Sequence, residues 1–268
     1  MKPAKKHMKI RIIAMGLLAA VFLYCLIRMG GILSDYNKAD TIYSDIRTSV
    51  FKIGYASNQT PNTISNSNAP TPAASPSPDL LFQVDFNKLK QQSPDVTGWL
   101  YIPDTDISYP IVRGSDNDYY LKYTYDGVAN INGSIFMDYR NAPDFSDLHT
   151  IIYGHNMLSG AMFGQLKKFD DQQYMDQHPY IYIITEKGVL KYQIFSQYVS
   201  KDSNNSYQFQ FTNEADFGAY IQKLLSFSYE AAAWQFRVTP VVTLSTCVND
   251  VTKRRVMHAA LESFTPAG

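Results

Sequence analysis

Cysteine is the scarcest chemistry in this chain: 2 residues in 268, against 20 tyrosines and 15 phenylalanines. Cys25 lies in an uncharged N-terminal run and Cys247 near the other end of the sequence, so the two are not expected to bridge and no disulfide framework is available to hold a fold together. An excess of one charge sign is also missing. The 24 basic side chains are matched by 24 acidic ones, which removes the electrostatic reason to expect a nucleic-acid partner. Metal-ligand spacing is absent too. Asp138, Asp144 and Asp147 are dispersed among apolar and turn residues and read as turn and cap positions, so neither a metal nor another cofactor is expected. No internal repeat is present, and with 45% hydrophobic residues the chain reads as one ordinary domain with appendages.

The appendages lie at the front. Residues 1–11 (MKPAKKHMKIR) form a basic tail, and residues 12–27 carry no charge before Arg28 and MGGIL follow. That run is short for a bilayer span of about 20 residues, but Arg11 and Arg28 can snorkel from its two ends. Residues 12–33 therefore read as a single transmembrane anchor. No small-x-small cleavage site follows the run, and Tyr24 before Cys25 is wrong for lipoprotein-type processing, so the anchor is expected to stay uncleaved. Basic residues precede it and Asp35, Asp40 and Asp45 follow. The positive-inside rule then leaves the N-terminus in the cytoplasm and everything from about residue 34 outside the cell membrane. Residues 34–79 are read as a stalk and linker: a helical stretch over 35–53, then an Asn/Ser/Thr/Pro-rich segment over 56–79 with too little apolar surface to order itself. The compact domain is assigned to residues 80–268.

Within it, short β-branched and aromatic runs dominate. GWLYIPDTDISYPIV (98–112) gives two such runs around a Pro-Asp turn, and SIFMDY, HTIIYG, PYIYIIT, VLKYQIFSQYV and PVVTLSTC repeat the theme. The pattern predicts a mainly β fold, an antiparallel barrel or sandwich. Two helices interrupt it. Asp85 is placed to cap FNKLKQQ, and Thr212 or Asn213 to cap a helix with Phe217, Ile221, Leu224 and Leu225 on one face.

Cys247 in TLSTCVNDVTKRR needs company to be more than a small buried hydrophobe. A thiol of ordinary pKa near ~8.5 is little ionised at neutral pH, so a catalytic cysteine needs an electropositive setting. His155, in TIIYGHNM, follows an apolar strand and a glycine, whereas His149 starts a strand and His258 sits inside one, where structural roles are expected, and His178 before a proline reads as a surface residue. An imidazole beside a thiol can pass a proton to a leaving amine, and an arginine can hold the oxyanion formed on attack. Arg254 and Arg255 both follow Cys247, but side chains alternate along a strand, so only one faces it. The set suits acyl transfer. Here the histidine precedes the cysteine, opposite to the order of papain-type peptidases.

Taken together, PDVTGWLYIPDTDISYPIV, DNDYYL, NGSIFMDYRN, YGHNM with MFGQLKKF, and TLSTC followed by an arginine-led strand resemble the class B sortases, membrane-anchored cysteine transpeptidases of Gram-positive bacteria. The resemblance covers roughly residues 80–262. It implies an eight-stranded sortase-type β-barrel with N-terminal helices and a helix in the connection between strands six and seven. It also implies a function: cleavage of an NPxTN-like C-terminal sorting signal after its threonine, and joining of the surface protein to a cell-wall or pilin amine. By the same resemblance Cys247 is the nucleophile, forming a thioacyl intermediate, and His155 the proton carrier. The family frame sets its arginine before an apolar run, which favours Arg254 and makes Arg255 a departure. Asn117, Leu121, Tyr153, Ser245 and Thr246 match positions that line the class B substrate groove, and residues 199–233 match its opposite wall. Two other readings stay open: a cysteine peptidase that mainly hydrolyses, and an inactive sortase-like binding module.

Overall fold

The apolar stretch of the N-terminal helix is exposed from Ile13 to Leu33, and the helix beyond it packs on the domain. In the computed structural model, which describes residues 4–55, 80–201, 206–228, 235–248, 250 and 252–267, helix α1 (Ala4–Val50) runs unbroken through the expected anchor and stalk. It is long and apolar enough to cross a membrane, and its apolar stretch is unburied. From residue 39 onward its side chains join the domain core through Ala39, Tyr43, Ile46 and Val50. Tyr43 donates to the Gly133 carbonyl (2.6 Å), and Arg47 Nε to the Ser108 carbonyl (3.2 Å). The segment read as a stalk is thus docked on the body. Strand β1 (Phe51–Tyr55) follows and pairs antiparallel with β2 (Leu80–Val84). The expected linker over 56–79 lies outside the described residues.

Helix α2 (Phe86–Gln92) starts where Asp85 accepts a hydrogen bond from Lys88 N–H (2.9 Å), the cap expected there. Eight strands then close a barrel: β3 (Val96–Tyr101), β4 (Ser108–Val112), β5 (Ile135–Met137), β6 (His149–Tyr153), β7 (Tyr180–Thr185), β8 (Gly188–Ser200), β9 (Val241–Cys247) and β10 (Arg254–Pro266). Their order round the barrel is β10-β8-β7-β3-β4-β5-β6-β9. Closure leaves no barrel edge unpaired. Leu100, Ile111, Ile135, Ile152, Ile183, Val242 and Leu244 fill the interior, whereas Trp99 on the other face of β3 stacks on Phe51 of β1, each such side chain contributing roughly 1.5–3 kcal/mol by burial. Helix α3 (Gln172–Gln177) precedes β7, and α4 (Glu214–Ser226) lies between β8 and β9, the connection between the sixth and seventh barrel strands. Asn213, rather than Thr212, caps α4 by accepting from Asp216 N–H (2.9 Å). Phe217, Ile221 and Leu224 of α4 form a second cluster with Phe195, Val241 and Ala260 on the outer barrel face.

The barrel is not wholly antiparallel. β4 pairs parallel with β5, and β6 parallel with β9. Alternating apolar residues report a strand's faces and not its direction, whereas connection length does: residues 113–134 are too many for a hairpin and return the chain to the starting end of β4. The second of these parallel joins brings the end of β6 beside the end of β9.

Candidate active site

Strand register brings the ends of β6, β9 and β10 together. Arg254 is the Cα partner of Cys247, and Tyr153 is the parallel partner of Ser245, with Gly154 N–H donating to the Ser245 carbonyl (3.1 Å). Two residues beyond each member of that pair stand His155 and Cys247. Val242 and Leu244 point into the barrel and Val241 points out, so by alternation Ser245 and Cys247 point out and Thr246 points in. Cys247 is half-buried and free.

The same parity separates the arginines. Arg254 shares the outer row with Cys247, whereas Arg255 pairs with Thr246 on the inner row. There Arg255 forms a short ion pair with Asp170, whose carboxylate also accepts from Gln197 Nε2 (2.7 Å). The arginine facing the cysteine is Arg254.

His155 is held from the other side. Its Nε2 lies 2.8 Å from the Leu121 carbonyl; a carbonyl only accepts, so Nε2 carries the proton and Nδ1 is left to exchange one. Gly154 lets Ile135 and Phe163 pack close against the chain there, because a Cβ would meet Ile135 and stand 2.8 Å from Phe163 Cδ2.

Asn117 and Tyr153, matched to a groove by resemblance, direct their side chains to a carboxylate. Both donate to Asp138 Oδ2, each at 2.9 Å, and Arg140 binds the same carboxylate through Nε and a terminal nitrogen (2.8 Å each). Asp138 is 0% exposed. Burial pushes its carboxyl up, but the bonds from Arg140, Asn117 and Tyr153 outweigh that and hold it below the ordinary carboxylate range. Its sequence reading as a turn residue misses this charged hub, since Asn117 and Tyr153 come from other stretches of the chain and only Arg140 is close in sequence. No cluster of His, Cys, Asp or Glu suited to a metal occurs among the described residues.

The connection after β8 packs over the ends of β6 and β9. Tyr207 shares a short hydrogen bond with Ser245 and stacks edge-on against Tyr153 at 6.0 Å. Burial raises its phenol pKa, while the nearby Arg254 charge acts the other way. Phe209 lies 3.8 Å beneath the Arg140 guanidinium. Neither aromatic is distinguishable in the sequence from the many others. Thr246, matched to the groove by resemblance, faces away from Cys247, and its buried hydroxyl has no hydrogen-bond partner among the described residues.

Beneath this connection runs a buried polar chain. His149 Nδ1 donates to the Gln208 carbonyl (2.7 Å), so its Nε2 accepts from Thr243 Oγ1 (2.6 Å). Thr243 in turn accepts from His258 Nδ1 (2.7 Å), and His258 Nε2 from the Tyr198 hydroxyl (3.1 Å). Only neutral imidazoles satisfy this order. Burial holds His149 down to about 4 and His258 well below its usual value; Asp147 and the Tyr220 ring are the other groups facing His149. The unfolded chain, with imidazoles near ~6.5, binds more protons below that pH, so stability falls as pH drops from about 6.5 toward about 4. The expected loss is about 1.4 kcal/mol per pH unit for each imidazole. Thermal unfolding at pH 7 and pH 5 checks this: the fall in Tm should shrink in His149→Gln, and an equal fall in the variant contradicts it.

A Sortase domain model matches residues 100–262. The chain is 39% identical over 166 residues to a Sortase B of Listeria monocytogenes, covering 61% of this chain and 67% of that protein. Among solved structures, sortase B from B. anthracis in complex with AAEK1 superposes with a TM-score of 0.69 at 28% identity, covering 86% of this chain and 99% of that one. A Staphylococcus aureus sortase B–substrate complex gives 0.63 at 28% identity, covering 66% and 84%.

Proposed function

Because the chain belongs to the sortase family, as a class B cysteine transpeptidase, we propose that its groove cuts an NPxTN-like C-terminal sorting signal after the threonine and passes the new carboxyl end to an amine. The Cys247 thiolate attacks the threonine carbonyl, and the carbon–sulfur bond forms as the carbonyl oxygen becomes an oxyanion beside Arg254. Collapse breaks the peptide bond, and His155 delivers a proton to the departing amine. An incoming amine, from a peptidoglycan precursor or a pilin lysine, then attacks the thioester. His155 takes its proton, an amide forms and the Cys247 thiolate leaves.

The observation that carries this reading is the shared outer row of β9 and β10, with Arg254 directly across from Cys247 and His155 at the end of the neighbouring strand. Asn117, Leu121, Tyr153 and Ser245 form the floor and His155 side of the groove in this proposal, with Tyr207 opposite. The Staphylococcus aureus relative was solved as a substrate complex, which supports a groove that takes a substrate here too. We also read residues 12–33 as the membrane anchor, with the N-terminus in the cytoplasm and the barrel on the extracellular side, where surface proteins bearing the signal would meet it.

Partition between transfer and hydrolysis is the feature to test. The full-length protein is incubated with a quenched NPxTN-like peptide, with and without triglycine as a simple amine acceptor. A transpeptidase diverts the threonine-ended fragment from free acid to glycine adduct as triglycine rises. Unchanged free acid at saturating triglycine would identify a hydrolase instead.

A further inference from the structure

We propose that the loop around Val128 and Ile131 rests on the outer surface of the membrane that α1 crosses, so that the catalytic barrel meets lipid directly. The proposal rests on the anchor reading of residues 12–33. At 1.5 Å per residue that span is about 33 Å long, close to the ~30 Å hydrocarbon thickness, which puts Leu33 at the outer boundary.

The loop is fixed at that level. Asn130 Nδ2 donates to the Asp35 carbonyl (2.8 Å), and Tyr43 to the carbonyl of Gly133 (2.6 Å). Val128 lines a cleft with Gly30 and Leu33, both within the span. A loop side chain thus lies beside residues assigned to the bilayer. Val128 and Ile131, on the same loop, are each 44% exposed. Tyr119, also exposed, stacks on Tyr123 at 4.4 Å, and its hydroxyl lies 3.5 Å from where a Cβ on Gly127 would be. Amphipathic rings beside apolar residues at the end of a span are the composition of a membrane interface. The one occupant consistent with this continuity is lipid. The segment that carries this loop also supplies the Leu121 carbonyl that holds His155, so the histidine side of the groove would be braced by the membrane.

Depth measurement on the full-length protein tests this. Nitroxide labels are placed singly at Val128→Cys and Ile131→Cys in a Cys25→Ala/Cys247→Ala background, in nanodiscs of phosphatidylcholine and phosphatidylglycerol. Leu23→Cys reports the span. Gln222→Cys reports α4, which packs on β8 and on Val241 and Ala260 of β9 and β10, across the barrel from the β4 side that meets α1. Labels at 128 and 131 should show an oxygen-to-nickel-chelate collision ratio several-fold above that at 222 and approaching that at 23. A ratio at 128 and 131 equal to that at 222, with the label at 23 immersed, overturns the proposal and leaves the anchor standing. An aqueous label at 23 overturns both.

Discussion

Cys247→Ala abolishes cleavage and transfer of an NPxTN-like peptide, a loss on the order of 10⁴-fold or more, and His155→Ala does nearly the same. Both residues serve one covalent step, so removing either stops the cycle and the double variant is little worse than each single one. Folding should be spared. Cys247 is half-buried at the end of β9, and His155 anchors through one carbonyl, so each variant should unfold within a few degrees of the parent. Initial rates across a substrate series, with thermal melts on the same samples, make the check. Cys247→Ala cutting at the parent rate contradicts the nucleophile assignment, and a collapsed melt would show that the loss came from misfolding.

The second large effect separates two adjacent arginines. Arg254→Ala should lower kcat/KM by about 10²–10³-fold, the usual cost of removing one group that steadies an oxyanion, with an unchanged melt. Arg254→Lys keeps the charge but loses the planar fork and should recover only part of the rate. Arg255→Ala should do the reverse. Its side chain is 12% exposed but its partner Asp170 is 38% exposed, so water takes over the carboxylate and the loss destabilises by only about 0.5–1 kcal/mol. Activity below the melting transition should stay within a few-fold. An active Arg254→Ala beside an inactive but well-folded Arg255→Ala would reverse the assignment.

The difference between these neighbours shows what a sequence can reveal. Alternation along a strand establishes that only one arginine faces the cysteine, but choosing it needs the register of β10 against β9, which depends on residues outside KRR. Helix caps are local, so Asp85 and the neighbourhood of Asn213 are readable as such. The eight-stranded barrel and the helix before its seventh strand follow from the family resemblance, whereas period-2 patterning alone leaves barrel and sandwich unresolved. Strand direction is nonlocal, and the parallel pairing of β6 with β9 that aligns His155 with Cys247 has no mark in either strand. Asp138 is hidden for a related reason. A buried carboxylate is tolerated only with partners, and of those only Arg140 is a near neighbour in sequence, while Asn117 and Tyr153 are brought to it from two other stretches of chain. Likewise the apolar residues before Asp35 predict a span, but only tertiary contacts show that the helix beyond it packs on the barrel through Tyr43 and Ile46.

Intact-mass measurement of the full-length protein mixed with an NPxTN-like peptide in the absence of amine tests most directly whether Cys247 carries the acyl group. The expected result is a mass increase equal to the threonine-ended fragment, mapped by digestion to Cys247 rather than Cys25, and discharged as a glycine adduct when triglycine is added. Peptide cleavage with no adduct at Cys247, or an adduct that persists in Cys247→Ala, would contradict covalent transfer through this residue.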